Sequence, residues 1–133
     1  MIDTGVYIGY WEHGRYDGVL ADVRRTFVVR QSVVVLSELR RGARTAAARR
    51  LVEGLARAAP TWWTPIDGDW WEAGKLIQMI GDPRDWDTNK RRDFQNDALI
   101  ALTARRHGAT VITTNREDFE ILGRILDVTV LTV

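Results

Sequence analysis

The chain has 133 residues, with 19 Lys plus Arg against 18 Asp plus Glu, two His and no Cys; 45% are apolar and 28% charged. This balance excludes disordered and fibrous classes, and the lack of Cys excludes disulfides and thiolate metal sites. The net charge of +1 excludes a polybasic binder, although a sum conceals how charge is distributed along the chain.

The length predicts a single domain over residues 1–133 with a substantial core. Met1–Thr4 reads as the stub of a strand, followed by a short helix through Trp11 and a turn at Glu12-His13-Gly14-Arg15. Asp17–Arg25 is a predicted helix, and the β-rich Thr26–Arg30 a second strand. Ser32 is placed to cap a helix over Val33–Gly42. Thr45–Ala59 carries Leu51, Val52 and Leu55 on one side and ends at Pro60, an amphipathic helix. Trp62–Ile66 reads as a third strand, Asp67 as the cap of a helix through Ile80, and Gly81–Lys90 as a polar loop. Arg92–His107 is a long helix closed by Gly108. A buried strand over Ala109–Thr113, a short helix over Glu117–Leu122 and a last strand over Val128–Val133 complete the pattern. Strands separated by helices of this length predict an α/β fold, a three-layer sandwich with a central parallel sheet. No apolar run approaches the roughly 18 residues of a membrane span. The first residues carry Asp3 where a secretory signal would be basic and then apolar, so a cytoplasmic protein with no membrane partner is expected.

Charge is segregated. Residues 40–57 hold Arg40, Arg41, Arg44, Arg49, Arg50 and Arg57 against Glu53 alone, whereas 67–87 is acidic and Lys90-Arg91-Arg92 is basic again. Arg outnumbers Lys 17 to 2, which suits bidentate phosphate contacts but also follows from a GC-rich genome. A solvated face of mixed charge is the plainer reading.

In parallel α/β folds ligands bind outside the carboxyl ends of the strands. Asp3-Thr4 follows the first strand and Thr113-Thr114-Asn115 the one at 109–113, so Asp3 and Asn115 can approach one another. Asp97 lies among Phe94, Ala98, Leu99 and Ile100, and Glu38 interrupts an apolar helix, both costly places for a lone carboxylate. Carboxylates in such contexts call for a shared cation, and hard oxygen ligands suit Mg²⁺ or Mn²⁺. Plainer readings stand beside this one: Asp3, Asp17 and Asp67 as caps, Glu38 paired with Arg41 or Arg24, Asp97 paired with Arg91 or Arg105, and Asn115 with Asp118 as a turn and cap.

The ordered set Asp3-Thr4, Leu36-Ser37-Glu38-Leu39-Arg40-Arg41-Gly42, Asn96–Ala104 (NDALIALTA) and Gly108–Phe119 (GATVITTNREDF) resembles the PIN-domain family, and within it the VapC-type ribonuclease toxins of toxin–antitoxin pairs. The resemblance runs from the first strand to Phe119 and implies a divalent-metal-dependent endoribonuclease. It also implies a homodimer and a cognate antitoxin lying over the active-site groove, with products carrying a 5′-phosphate and a 3′-hydroxyl. Residue by residue, Asp3, Glu38 and Asp97 match the family acids, and Asn115 stands where the fourth usually sits. An amide oxygen can still serve there, Asp118 is an alternative ligand, and Asp93 a reserve. Thr113 would orient the group through its hydroxyl. The substitution at Asn115 leaves open one metal or two.

An acidic centre repels RNA, so Arg40, Arg41, Lys90, Arg91 and Arg92 are the expected backbone contacts. Six Trp stand out. One member each of Trp62-Trp63 and Trp70-Trp71 is expected in the core, and the outward members at a dimer or antitoxin contact. Trp86 is the better candidate for base stacking, with ordinary loop packing as the plainer reading. Two other functions fit the same residues: a housekeeping nuclease of this fold in RNA processing, and a non-catalytic nucleic-acid- or protein-binding module, which Asn115 favours.

Overall fold

The computed structural model describes all 133 residues. Ile2 forms a parallel bridge with Ile112, and Asp3 caps α1 (Thr4–His13), its carboxylate accepting from the Thr4 N–H. The helix runs past Trp11 until Gly14, whose left-handed backbone (φ 61°) lets its N–H reach the Gly9 and Tyr10 carbonyls. Helix α2 (Asp17–Thr26) forms as predicted.

The predicted strand over Thr26–Arg30 does not form. The ladder begins one step later, at β1 (Gln31–Ser32), which pairs in parallel with β2 (Trp62–Trp63). Phe27 is 50% and Val28 77% exposed, and aromatic or β-branched residues favour strands only where a face is covered. Gln31 is buried instead, because its amide Nε2 donates to the Tyr7 hydroxyl at 2.8 Å and that hydroxyl donates back to Oε1 at 3.1 Å. Ser32 caps α3 (Val33–Gly42) by accepting from the Val34 N–H, and Thr45 caps α4 (Ala46–Ala58) in the same way from Ala48.

Helix α5 (Asp67–Gly81) is entered through Ile66, whose N–H donates to the Asp69 carboxylate at 2.9 Å; Asp67 is therefore inside the helix, not its cap. Helix α6 (Thr88–Arg106) starts at the Asp87 cap, a full turn before the expected Arg92, so Lys90, Arg91 and Arg92 lie on a helix. Strands β3 (Val111–Thr113) and β4 (Val130–Thr132) pair in parallel around α7 (Arg116–Leu126).

All strand pairing is parallel, as predicted, but the fold is mostly helical. The hydrogen bonds make two separate two-stranded pairs and the Ile2 bridge, not one continuous central sheet. Strands of two or three residues offer few ladder bonds, and helix packing carries the structure. Helix α6 sits at the centre, against α3, α5 and α7. Its whole run from Ala98 to Ala104 is buried, as expected of a helix covered on every side. Within that run the Thr103 hydroxyl is satisfied by donating to the Leu99 carbonyl. Tyr7, Phe94 and Phe119 are the largest buried rings, and one contiguous apolar cluster joins them. No helix is long and apolar enough to cross a membrane.

The Trp expectation holds for one pair only. Trp63 is half-buried and stacks on His107 at 4.0 Å, while Trp62 is exposed. Trp70 and Trp71 are both exposed, because they lie on the outer face of a helix, where neighbours do not alternate as on a strand.

Asp69 is a buried carboxylate that joins three segments. It accepts from the Ile66 N–H and from Arg106 Nη2, each at 2.9 Å, while the same guanidinium donates to the Thr64 carbonyl. Asp69→Ala removes the cap and strands a half-covered Arg106. It should lower the unfolding free energy by about 2 kcal/mol. A urea titration shifting it by less than about 0.5 kcal/mol would show that the residue is dispensable.

Candidate active site

The first polar residue after the Ile2 bridge is Asp3, and β3 fixes where it lies. Its N–H donates to the Ile112 carbonyl at 2.8 Å, and its Oδ2 accepts from Thr113 Oγ1 at 2.7 Å. Thr113 Oγ1 in turn accepts from the Asn115 N–H at 2.9 Å. The hydroxyl thus connects the first acid to the turn that follows β3. Gly5 lets α1 approach this turn, since a Cβ there would run into Thr114 Oγ1.

Glu38 reaches the same region from α3. It accepts from the Thr4 hydroxyl and, at 2.8 Å, from Asn96 Nδ2 on α6. Neither Arg41 nor Arg24 pairs with it, so the plain ion-pair reading of Glu38 fails. Asp97 Oδ2 accepts from Asn115 Nδ2 at 2.9 Å, and the same nitrogen donates to Asp118 Oδ2 at 3.0 Å. Of the two suggested partners of Asp97, Arg91 pairs with Asp82, and neither Arg91 nor Arg105 bonds to it. Asn115 also caps α7, its Oδ1 accepting from the Asp118 N–H. Its amide oxygen therefore faces the helix, and its amide hydrogens face the acids.

The structure thus brings Asp3, Glu38, Asp97, Asn115 and Asp118 together at the carboxyl end of β3. Asp93 is left outside, exposed beside Arg92. Thr4 and Asn96 are members that their own sequence context did not mark. Each is a neighbour of an acid, at positions 3 and 97, and only the packing of α1 and α6 on α3 turns them toward Glu38.

Lys90 is the largest departure from expectation. Instead of facing solvent it reaches inward, and its Nζ lies 2.7 Å from both carboxylate oxygens of the buried Asp118. The ammonium also lies 5.2 Å from the centroid of the Trp86 ring, which packs against Phe94. Trp86 is thereby engaged and not free to stack a base. Arg91 is likewise held, by Asp82 and by the Trp86 carbonyl. Arg40, Arg41 and Arg92 remain on the surface.

The electrostatics are those of crowded like charge. Burial pushes the Asp97 carboxyl up to about 8, and the charges of Asp3, Asp118 and Glu38 push in the same direction. Asp3 is also raised, chiefly by burial, against the lowering effect of the Thr113 and Thr4 hydrogen bonds. The donors available are all oxygen, which suits a hard divalent ion, and the repulsion among the acids is what such an ion would relieve. As the side chains stand, no three of them converge into a ready coordination sphere. They are held apart by Thr4, Asn96, Thr113, Asn115 and Lys90.

A PIN domain family model matches residues 1–125. No curated protein matches the sequence significantly. Among solved structures, the fold is similar to that of a chain in VapBC-1 from nontypeable Haemophilus influenzae. The TM-score is 0.71 at 22% identity, over 99% of this chain and 96% of that one. It is also similar to a chain in VapBC2 from Rickettsia felis, a complex bound to a DNA fragment from its promoter. There the TM-score is 0.69 at 17% identity, over 100% and 97% of the two chains.

The raised Asp97 has a consequence for stability. The folded chain keeps this proton where the unfolded chain, with its carboxyl near 3.8, has lost it. Stability of the metal-free protein should therefore fall as pH rises from about 4 to about 8. Asp97→Asn should flatten that slope and raise Tm at pH 8 by a few degrees, on a scale of about 3–5 °C per kcal/mol for this length. Parallel melting curves for both proteins at pH 5 and pH 8 would decide it. With its first strand, its acids and its β3 turn all within the matched span, the chain belongs to the PIN domain family.

Proposed function

We propose that this chain is a divalent-metal-dependent endoribonuclease and the toxin of a toxin–antitoxin pair. The observation that carries the reading is that Asp3, Glu38 and Asp97, from three separate elements, lie near enough that the charges of Asp3 and Glu38 add to burial in pushing Asp97 up to about 8. Such an arrangement destabilises a fold that has no cation to bind, so its presence points to a cation-dependent role.

In this reading Asp3, Glu38 and Asp97 hold Mg²⁺ or Mn²⁺, while Asn115 and Asp118 stand beside them, engaged with each other and, for Asp118, with Lys90. When bound, the ion lowers the pKa of a water and offsets negative charge developing on the phosphoryl oxygens. Water adds to phosphorus, the bond to the 3′ oxygen breaks, and that oxygen leaves as a hydroxyl after taking a proton. Glu38, oriented by Thr4 and Asn96, is placed to take the proton from the attacking water. Thr113 keeps the Asp3 carboxylate turned inward. Arg40, Arg41 and Arg92, all exposed, hold the RNA backbone. Lys90 and Arg91 leave that set because their charges are engaged within the protein.

The partners proposed are an antitoxin and a second copy of the chain, and the two VapBC folds support the first of these. Exposed Trp62, Trp70 and Trp71 are the apolar surface offered to them. A cytoplasmic location is proposed with the same reading.

Asp3→Asn and Asp97→Asn should each reduce cleavage of single-stranded RNA by at least about 100-fold, and a chelator should abolish it in the unmodified protein. Full activity in both variants would end the proposal. Replacing Arg41 and Arg92 together should weaken RNA binding and lower its salt slope by roughly 1.4, while the cleavage rate at saturation holds. An unchanged slope would remove them from the RNA face.

A further inference from the structure

We propose that Lys90 is a resident cation standing where a second divalent ion would sit, so that this centre takes one divalent ion only. The inference rests on the reading of the acid cluster as a metal centre and specifies its stoichiometry.

The site divides into two halves. One holds Asp3, Glu38 and Asp97, whose carboxylates accept only from neutral donors: Thr113, Thr4, Asn96 and Asn115. The other is Asp118, and its two oxygens are already filled. Lys90 Nζ lies 2.7 Å from each, and Asn115 Nδ2 donates to Oδ2 at 3.0 Å. Asn115 stands between the halves, with its amide hydrogens turned to both Asp97 and Asp118. A divalent ion bridging the two carboxylates would meet those hydrogens and the ammonium head-on. It would have to displace both.

The ammonium is also anchored. The Lys90 backbone N–H donates to the Asp87 cap at 2.8 Å, which sets the first turn of α6. Its head lies over the Trp86 ring at 5.2 Å, and the side chain is only 34% exposed. Swinging it out would leave the buried Asp118 carboxylate unpaired, an arrangement strongly disfavoured away from water. Formal charge leads to the same result. Four carboxylates against Lys90 leave three negative charges, which one divalent ion reduces to one. A second would leave an excess positive charge in a buried site.

The test counts bound Mn²⁺ on the full chain at pH 8, by equilibrium dialysis with elemental analysis and by electron paramagnetic resonance. The unmodified protein should hold one ion per chain. Lys90→Met, folded by circular dichroism, should hold two, because only the neutral Asn115 amide, which can turn, is then left against Asp118; Lys90→Arg should stay at one. Asp118→Asn should also stay at one, and this arm does not depend on Lys90→Met folding. Two ions on the unmodified chain, one on folded Lys90→Met, or none on Asp118→Asn would each overturn the assignment of Lys90. No ion on the unmodified chain would overturn the metal-centre reading itself.

Discussion

The pairing of the first three residues with β3 is the contact on which the site depends. Met1 donates its terminal nitrogen to the Thr110 carbonyl and accepts from the Ile112 N–H, and Asp3 donates to the Ile112 carbonyl. Those bonds set a register in which Ile2 faces the core and Asp3 faces Thr113, more than a hundred residues away in sequence. A slip of one residue would bury Asp3 in the apolar cluster and turn Ile2 toward the acids. From that register follow the start of α1, the reach of Thr4 to Glu38 and the approach of Gly5 to the β3 turn.

Gathering carboxylates at one end of a short strand works against folding, and the surroundings show how the chain tolerates it. Every acid in the cluster accepts from a defined donor, and no buried side-chain nitrogen or oxygen lacks a partner. Neutral donors serve Asp3, Glu38 and Asp97, whereas Asp118 receives a full positive charge from Lys90. The asymmetry leaves one half of the cluster electrostatically unsatisfied and the other settled. A functional centre commonly retains such a stability cost, because the unsatisfied charge is what binds the ligand. Helix α6 makes the cost bearable: its buried run from Ala98 to Ala104 anchors the helix that carries Lys90, Asn96 and Asp97.

The legible parts of the sequence were those where a residue conflicts with its immediate neighbours. Glu38 within an apolar helix and Asp97 beside Ala98-Leu99-Ile100 stood out because a carboxylate there needs a partner. Ser32 and Pro60 marked element boundaries through local backbone chemistry and were found in those places. Thr4, Asn96 and Lys90 carried no such conflict: a polar residue at a helix end or in a charged run is ordinary, and nothing nearby tells which way it turns. The misplaced strand at Thr26–Arg30 and the Trp70-Trp71 pair failed for a related reason. Strand propensity and alternation presuppose a covered face, and that face is supplied, or withheld, by elements distant in sequence.

The sequence by itself determined the alternation of helices and short parallel strands, the family, and the acids at positions 3, 38 and 97. Periodicity, caps and misplaced charges act over a few residues, so they can be read locally. Only the tertiary structure decided that the strands form two separate pairs, that Asn115 presents its amide hydrogens to the acids, and that Lys90 closes on Asp118 across 28 positions. Each of these depends on a helix docking against a partner from another part of the chain, where net burial and charge pairing outweigh local preference.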